Sequence, residues 1–183
     1  MATASSWYIP LAKRSVAYEI ALFGVLGGLT FAAKVAMMGL PNIEPVSLMV
    51  MLFAVTFGRK ALFPIYVYVL LEFAFFGLHL WSVSYLYIWP LLALAAWFLR
   101  DMTHPLAWAL LSGVFGLLFG ALCAPVYLVT GGPAFALGWW VNGIPFDLLH
   151  CAGNFCMSLF LFCPLRRLMA RLYRTPNASA ISR

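Results

Sequence analysis

The chain reads as an all-α integral membrane protein: a compact bundle of six transmembrane helices with both termini cytoplasmic. Three observations lead there. Of 183 residues, 65% are hydrophobic and 9% charged, with a mean hydropathy of +0.98. Soluble domains average roughly 25% charged residues, so a water-facing surface cannot be assembled from this composition. Apolar runs long enough to cross a bilayer recur from end to end. Finally, apart from Lys34 the basic residues fall at the termini and in alternate connections, which is a topology signal. One membrane domain is expected over 18–165, between an N-terminal cytoplasmic segment, 1–17, and a basic cytoplasmic tail, 166–183.

Span 1, about 18–40, carries Gly24, Gly28 and Ala32 at every fourth position, a stripe that admits another helix at short range. The polar break Gly39–Ser47 follows, with Glu44 between Pro41 and Pro45. Span 2, about 44–58, is short: at about 1.5 Å per residue it covers about 22 Å of a core about 30 Å thick. Glu44 is therefore expected below the membrane surface. Span 3, about 61–77, contains Pro64 and, near its far end, Glu72. A loop over 78–84 leads into span 4, about 85–99, with Tyr85, Tyr87, Trp89 and Pro90. The stretch 100–105 reads as a polar turn. Span 5, about 106–129, bears a second small-residue stripe, Gly113, Gly116, Gly120 and Ala121. An aromatic approach over 130–140 ends in Trp139-Trp140, and span 6, about 141–163, holds Asn142, Asp147, His150 and Asn154.

Lys13, Arg14, Arg59, Lys60, Arg100 and the arginines of the tail share one side, while the connections 41–44, 78–84 and 130–140 hold no Lys or Arg. The positive-inside rule then makes the termini cytoplasmic. The net charge of +6 is spread over these turns and is not a nucleic-acid footprint. No cleavable signal peptide is read at the N-terminus. The four cysteines lie in apolar segments without a CxxC spacing and read as small buried hydrophobes.

On this topology the intramembrane charges gather in the outer half: Lys34, Glu44, Glu72, Asp147 and His150, with Glu19 alone near the inner boundary. Each costs about 2.5–3.5 kcal/mol at the centre of a hydrocarbon core, so each is expected to face a cavity or a partner. Asp147, His150 and Asn154 follow helical spacing and share a face with Asn142. Trp81, Tyr85, Tyr87, Trp89, Trp139 and Trp140 crowd the same level, as an aromatic belt or as surfaces for stacking a flat ligand. Internal pairing is the competing explanation: Lys34 with Glu72 between spans, Asp147 with His150 along one. Neither accounts for Glu44, which has no basic neighbour in its own loop. An intramembrane enzyme using Glu72, Asp147 and His150 is the alternative from another class, although no HExxH, GxSxG or Ser–Lys arrangement is present. A structural membrane partner with all charges paired is a third.

The segments Leu40-Pro41-Asn42-Ile43-Glu44-Pro45-Val46-Ser47, Phe57-Gly58-Arg59-Lys60 and Gly143-Ile144-Pro145-Phe146-Asp147-Leu148-Leu149-His150 resemble the S components of energy-coupling-factor (ECF) vitamin transporters, over about 18–170. The resemblance implies a non-enzymatic, high-affinity subunit that binds a small vitamin or precursor from outside a prokaryotic plasma membrane. It would dock on a membrane coupling subunit bound to two ATPases, which alone use ATP; the chain itself needs no cofactor or metal. Carried over, Asn42, Glu44 and Ser47 form a lip, Asp147 and His150 a pocket floor, and Trp89, Trp140 and Asn142 its walls. Lys34, Glu72, Trp81, Tyr85 and Asn154 complete the expected ligand site, and Gly24, Gly28 and Ala32 stand for the docking motif. Three carboxylates against one lysine favour a neutral or cationic, donor-rich aromatic heterocycle over a dicarboxylate.

Overall fold

The structure, a computed structural model, describes residues 15–40 and 42–173, and every regular element among them is helical. Most of the expected N-terminal segment, with the basic residues Lys13 and Arg14, lies outside the described residues, as do Pro41 and Arg174. Four stretches are long and apolar enough to cross a membrane: Val16–Ala36, Val46–Phe76, Leu80–Phe98 and Pro105–Tyr173. Two of them are broken internally, and the breaks set the architecture.

Helix α1, Val16–Ala36, starts on Ser15, whose hydroxyl accepts the Tyr18 N–H, as an N-cap does. Helix α2, Val46–Phe57, buries nine of its twelve residues; a helix apolar on every face belongs in the middle of a bundle. It stops at Gly58, whose φ of +56° suits glycine, and a 3-10 turn, Gly58–Ala61, leads into α3, Leu62–Phe76. Contacts between α1 and α3 keep a near-constant offset. Glu19 meets Lys60 at 2.5 Å, Phe23 stacks on Phe63 at 5.7 Å, and Lys34 meets Glu72 at 2.8 Å. The two helices are therefore parallel, so α2 runs back between them.

Helix α4, Leu80–Phe98, begins five residues before the expected span. The stretch 78–84 is thus mostly helix, because His79 and Ser82 cap its first turn: the His79 N–H donates to Ser82 Oγ at 2.8 Å. Pro90 removes the N–H that would serve the Leu86 carbonyl, and Tyr66 of α3 donates its hydroxyl there instead, at 2.9 Å.

Helix α5, Pro105–Leu117, and the long α6, Phe119–Met157, meet at a slight break. Within α6, Gly132 leaves helical geometry at φ 79°, ψ 179°, and Pro133 follows. The chain doubles back there: Tyr127 stacks on Trp139 at 4.0 Å, Gly120 meets Asp147, Gly116 meets His150 and Gly113 meets Phe155. The paired numbers sum to nearly the same value, which defines an antiparallel hairpin. The expected non-helical approach over 130–140 is therefore helical on both sides of one glycine. A π turn, Ser158–Phe162, joins α6 to α7, Cys163–Tyr173. The stretch 100–105 is more than a polar turn, since Arg166 of the expected tail donates to the Arg100 and Met102 carbonyls at 2.7 and 2.9 Å. All four cysteines are free thiols.

The two glycine stripes differ in use. A Cβ on Gly116 would lie 2.8 Å from the His150 carbonyl, whereas Gly24 and Gly28 have nothing within 4 Å of that position. On α1 it is Gly27, between them, that fits against Pro64 and Val67. Gly116→Ala should therefore destabilise by about 1–3 kcal/mol through overpacking, while Gly28→Ala should gain up to about 1 kcal/mol of helix propensity. Thermal unfolding of the detergent-purified variants separates the two.

Candidate ligand-binding site

A cavity of about 780 Å³ opens where the lip 42–47, the ends of α1 and α4 and the α5–α6 hairpin converge. Lys34, Asn42, Glu44, Trp81, Tyr85, Asn142, Asp147 and His150 line it, eight of the thirteen expected ligand residues.

Lys34 is the electrostatic hub. Its ammonium lies 2.8 Å from the fully buried Glu72 carboxylate and 3.8 Å from Glu44. Four rings surround it, with centroids at 5.4 Å for Tyr85, 5.6 Å for Trp81 and Phe76, and 6.0 Å for Tyr68, a distance at which ring faces attract a cation. The inter-span pair Lys34–Glu72 therefore exists, and Glu44 finds across the bundle the cation its own loop lacks. Glu72 itself lies behind Lys34 and does not reach the cavity wall.

Asp147 and His150 do not pair with each other. Both carboxylate oxygens of Asp147 accept the Gly120 N–H, at 3.0 and 3.2 Å. That N–H belongs to the first turn of α6, where donors lack intrahelical partners and the helix dipole favours an anion. A side chain at 120 would collide with the carboxylate. His150 is buried, with the Phe119 ring edge-on at 4.8 Å, and its Nε2 meets no hydrogen-bonding group among the described residues. An unpaired buried nitrogen costs about 1–3 kcal/mol unless a partner reaches it.

The lip is pinned to α6. Asn42, in the left-handed region at φ 55°, donates its amide to the Phe146 carbonyl at 3.1 Å, and Ile43 packs on Gly153. Below it, Asn154 donates to Ser47 Oγ at 2.9 Å. That bond joins α2 to α6 and takes Ser47 and Asn154 into the core, away from the cavity. Trp89 is fully buried as well, packed behind the lining against Tyr85 at 5.3 Å and Phe119 at 5.6 Å. Trp140 points outward, 38% exposed, and its neighbour Trp139 takes the wall position.

The lining also includes Phe119, Gly120, Cys123, Phe135, Gly138, Trp139 and Phe146, none of them expected as ligand residues. A signal existed. Phe135, Trp139, Asn142, Phe146 and His150 recur every three or four residues, one face of a helix, and reading 130–140 as non-helical cut that stripe in half. Among the described residues no group of three His, Cys, Asp or Glu is placed to hold a metal ion. Comparison with family models, with curated proteins and with solved structures gives no match.

One outcome follows from the charges. Lys34→Met leaves Glu72 as a buried lone carboxylate and should cost about 3–5 kcal/mol, whereas adding Glu72→Leu should restore most of it. Unfolding in graded SDS measures both.

Proposed function

We propose that this chain is the substrate-binding subunit of an ATP-driven ECF importer for a small vitamin or vitamin precursor. The cavity is the observation that carries the proposal. It has the size range of a small-molecule site, mostly apolar walls and a few convergent polar groups. In this reading the chain crosses the membrane six times. Helices α2 and α3 cross separately, α5 continues through the first part of α6 as one crossing, and the rest of α6 returns after Gly132. Both termini are then cytoplasmic, the lip faces outward, and the protein sits in a prokaryotic plasma membrane. The substrate enters under the lip, and aromatic walls favour a donor-rich heterocycle.

The same reading gives the open stripe of α1 a role. Gly24, Gly28 and Ala32 would meet a membrane coupling subunit, itself bound to two ATPases, where the absence of side chains lets backbones approach. The chain itself uses no cofactor and catalyses no reaction. The alternative, an enzyme acting through Glu72, Asp147 and His150, is less well supported. Glu72 is held by Lys34 outside the lining and Asp147 is held by Gly120, so the three do not converge.

Gly28→Leu separates docking from binding. With the partner subunits present, uptake should fall to background, while stabilisation of the purified variant by substrate stays within about twofold of the parent. Loss of substrate binding along with uptake would place the stripe inside the subunit's own packing and count against the docking role.

A further inference from the structure

We infer that the occupant of this cavity is a flat aromatic cation, free of carboxylate and phosphate groups. The inference rests on the reading of the cavity as the substrate site and sharpens it by charge. Lys34 is the sole basic residue of the lining apart from His150, and its ammonium is already 2.8 Å from Glu72. Counting Glu44, Glu72 and Asp147 against Lys34 leaves two negative charges. An anionic ligand would have to take Lys34 from Glu72, stranding a carboxylate that is 0% exposed, which a low-dielectric interior strongly opposes. A cation meets the opposite situation. Glu44 is held only loosely, at 3.8 Å, and Asp147 accepts a single N–H, so both keep acceptor capacity.

Shape points the same way. Six aromatic side chains line the cavity, and ring faces attract a desolvated cation. Lys34 already occupies the faces of Trp81 and Tyr85, so a second cation is repelled from that corner. It is directed instead toward Phe119, Trp139 and the Asp147 carboxylate. The buried Nε2 of His150 stands beside Phe119 without a partner among the described residues, placed to accept an N–H carried on the ligand ring.

The test is thermal stabilisation and calorimetric titration of the purified full chain with matched probes: 1-methylnicotinamide against nicotinate, thiamine against thiamine diphosphate, and riboflavin and pyridoxine as neutral rings. A cationic member should bind at least about tenfold more tightly than its anionic counterpart, and Asp147→Asn should reduce that preference by about tenfold, the scale of one charge-assisted bond. Glu44→Gln should act in the same direction by a smaller factor, and it carries the test alone if the Asp147→Asn variant does not fold. Tighter binding of an anionic or neutral probe overturns the cation assignment and leaves the substrate-binding role intact. A folded chain that binds no member of the panel overturns that role as well.

Discussion

One ammonium group holds this structure in its arrangement. Among the described residues Lys34 is the only cation within reach of the buried Glu72 and the half-buried Glu44, and it sits against four aromatic rings. Through it α1, the lip, α3 and α4 meet at a single point. A buried ion pair contributes little net stability compared with apolar packing, because desolvating both partners is costly. Its effect is on specificity: any arrangement that separates Lys34 from Glu72 leaves an unpaired charge in the core. Register between α1 and α3 is set that way, and Gly27 in the groove beside Pro64 and Val67 sets it again by shape.

The far wall of the cavity is organised by a different device. Gly113 and Gly116 let the two arms of the hairpin approach until the backbone of α5 nearly touches that of α6. Only at such a distance can Asp147 reach the Gly120 N–H, and only glycine at 120 leaves room for the carboxylate. One anion is thus held by a side-chain cation and the other by the end of a helix. Neither Glu44 nor Asp147 exhausts its acceptor capacity in these contacts, so both can accept further hydrogen bonds in the cavity.

Much of this was legible in composition and spacing. The apolar runs, the short basic clusters between them and the closeness of Lys34 and Glu44 to the polar break are properties of linear sequence. So is the pairing potential of Lys34 with Glu72. Other features depend on where the chain breaks. The capping of α4 by His79 and Ser82 required recognising that histidine serves as an N-cap. The helicity of 133–140 was hidden by the turn chemistry of Thr130-Gly131-Gly132-Pro133, where a single glycine at φ 79° performs the whole reversal. With that helix assigned, Trp139 faces the cavity and Trp140 the outside; without it, two adjacent tryptophans are indistinguishable. Ser47 and Asn154 show the other kind of difficulty. Polar residues in a span signal a cavity or a partner, and here they are each other's partner, 107 positions apart.

The placement of the ion pairs also limits how α1 can move. Glu19–Lys60 lies at one end of the α1–α3 contact and Lys34–Glu72 at the other, with Gly27 keyed in between. Sliding α1 by one helical turn, about 5.4 Å, would break both pairs at once and lift Gly27 from its seat. The two helices therefore respond to a lateral force as one body. The open face of α1 at Gly24 and Gly28 is on that body, and so is the counterion of Glu44. Of the two carboxylate contacts Lys34 makes, the longer one, 3.8 Å to Glu44, is the one that borders the cavity.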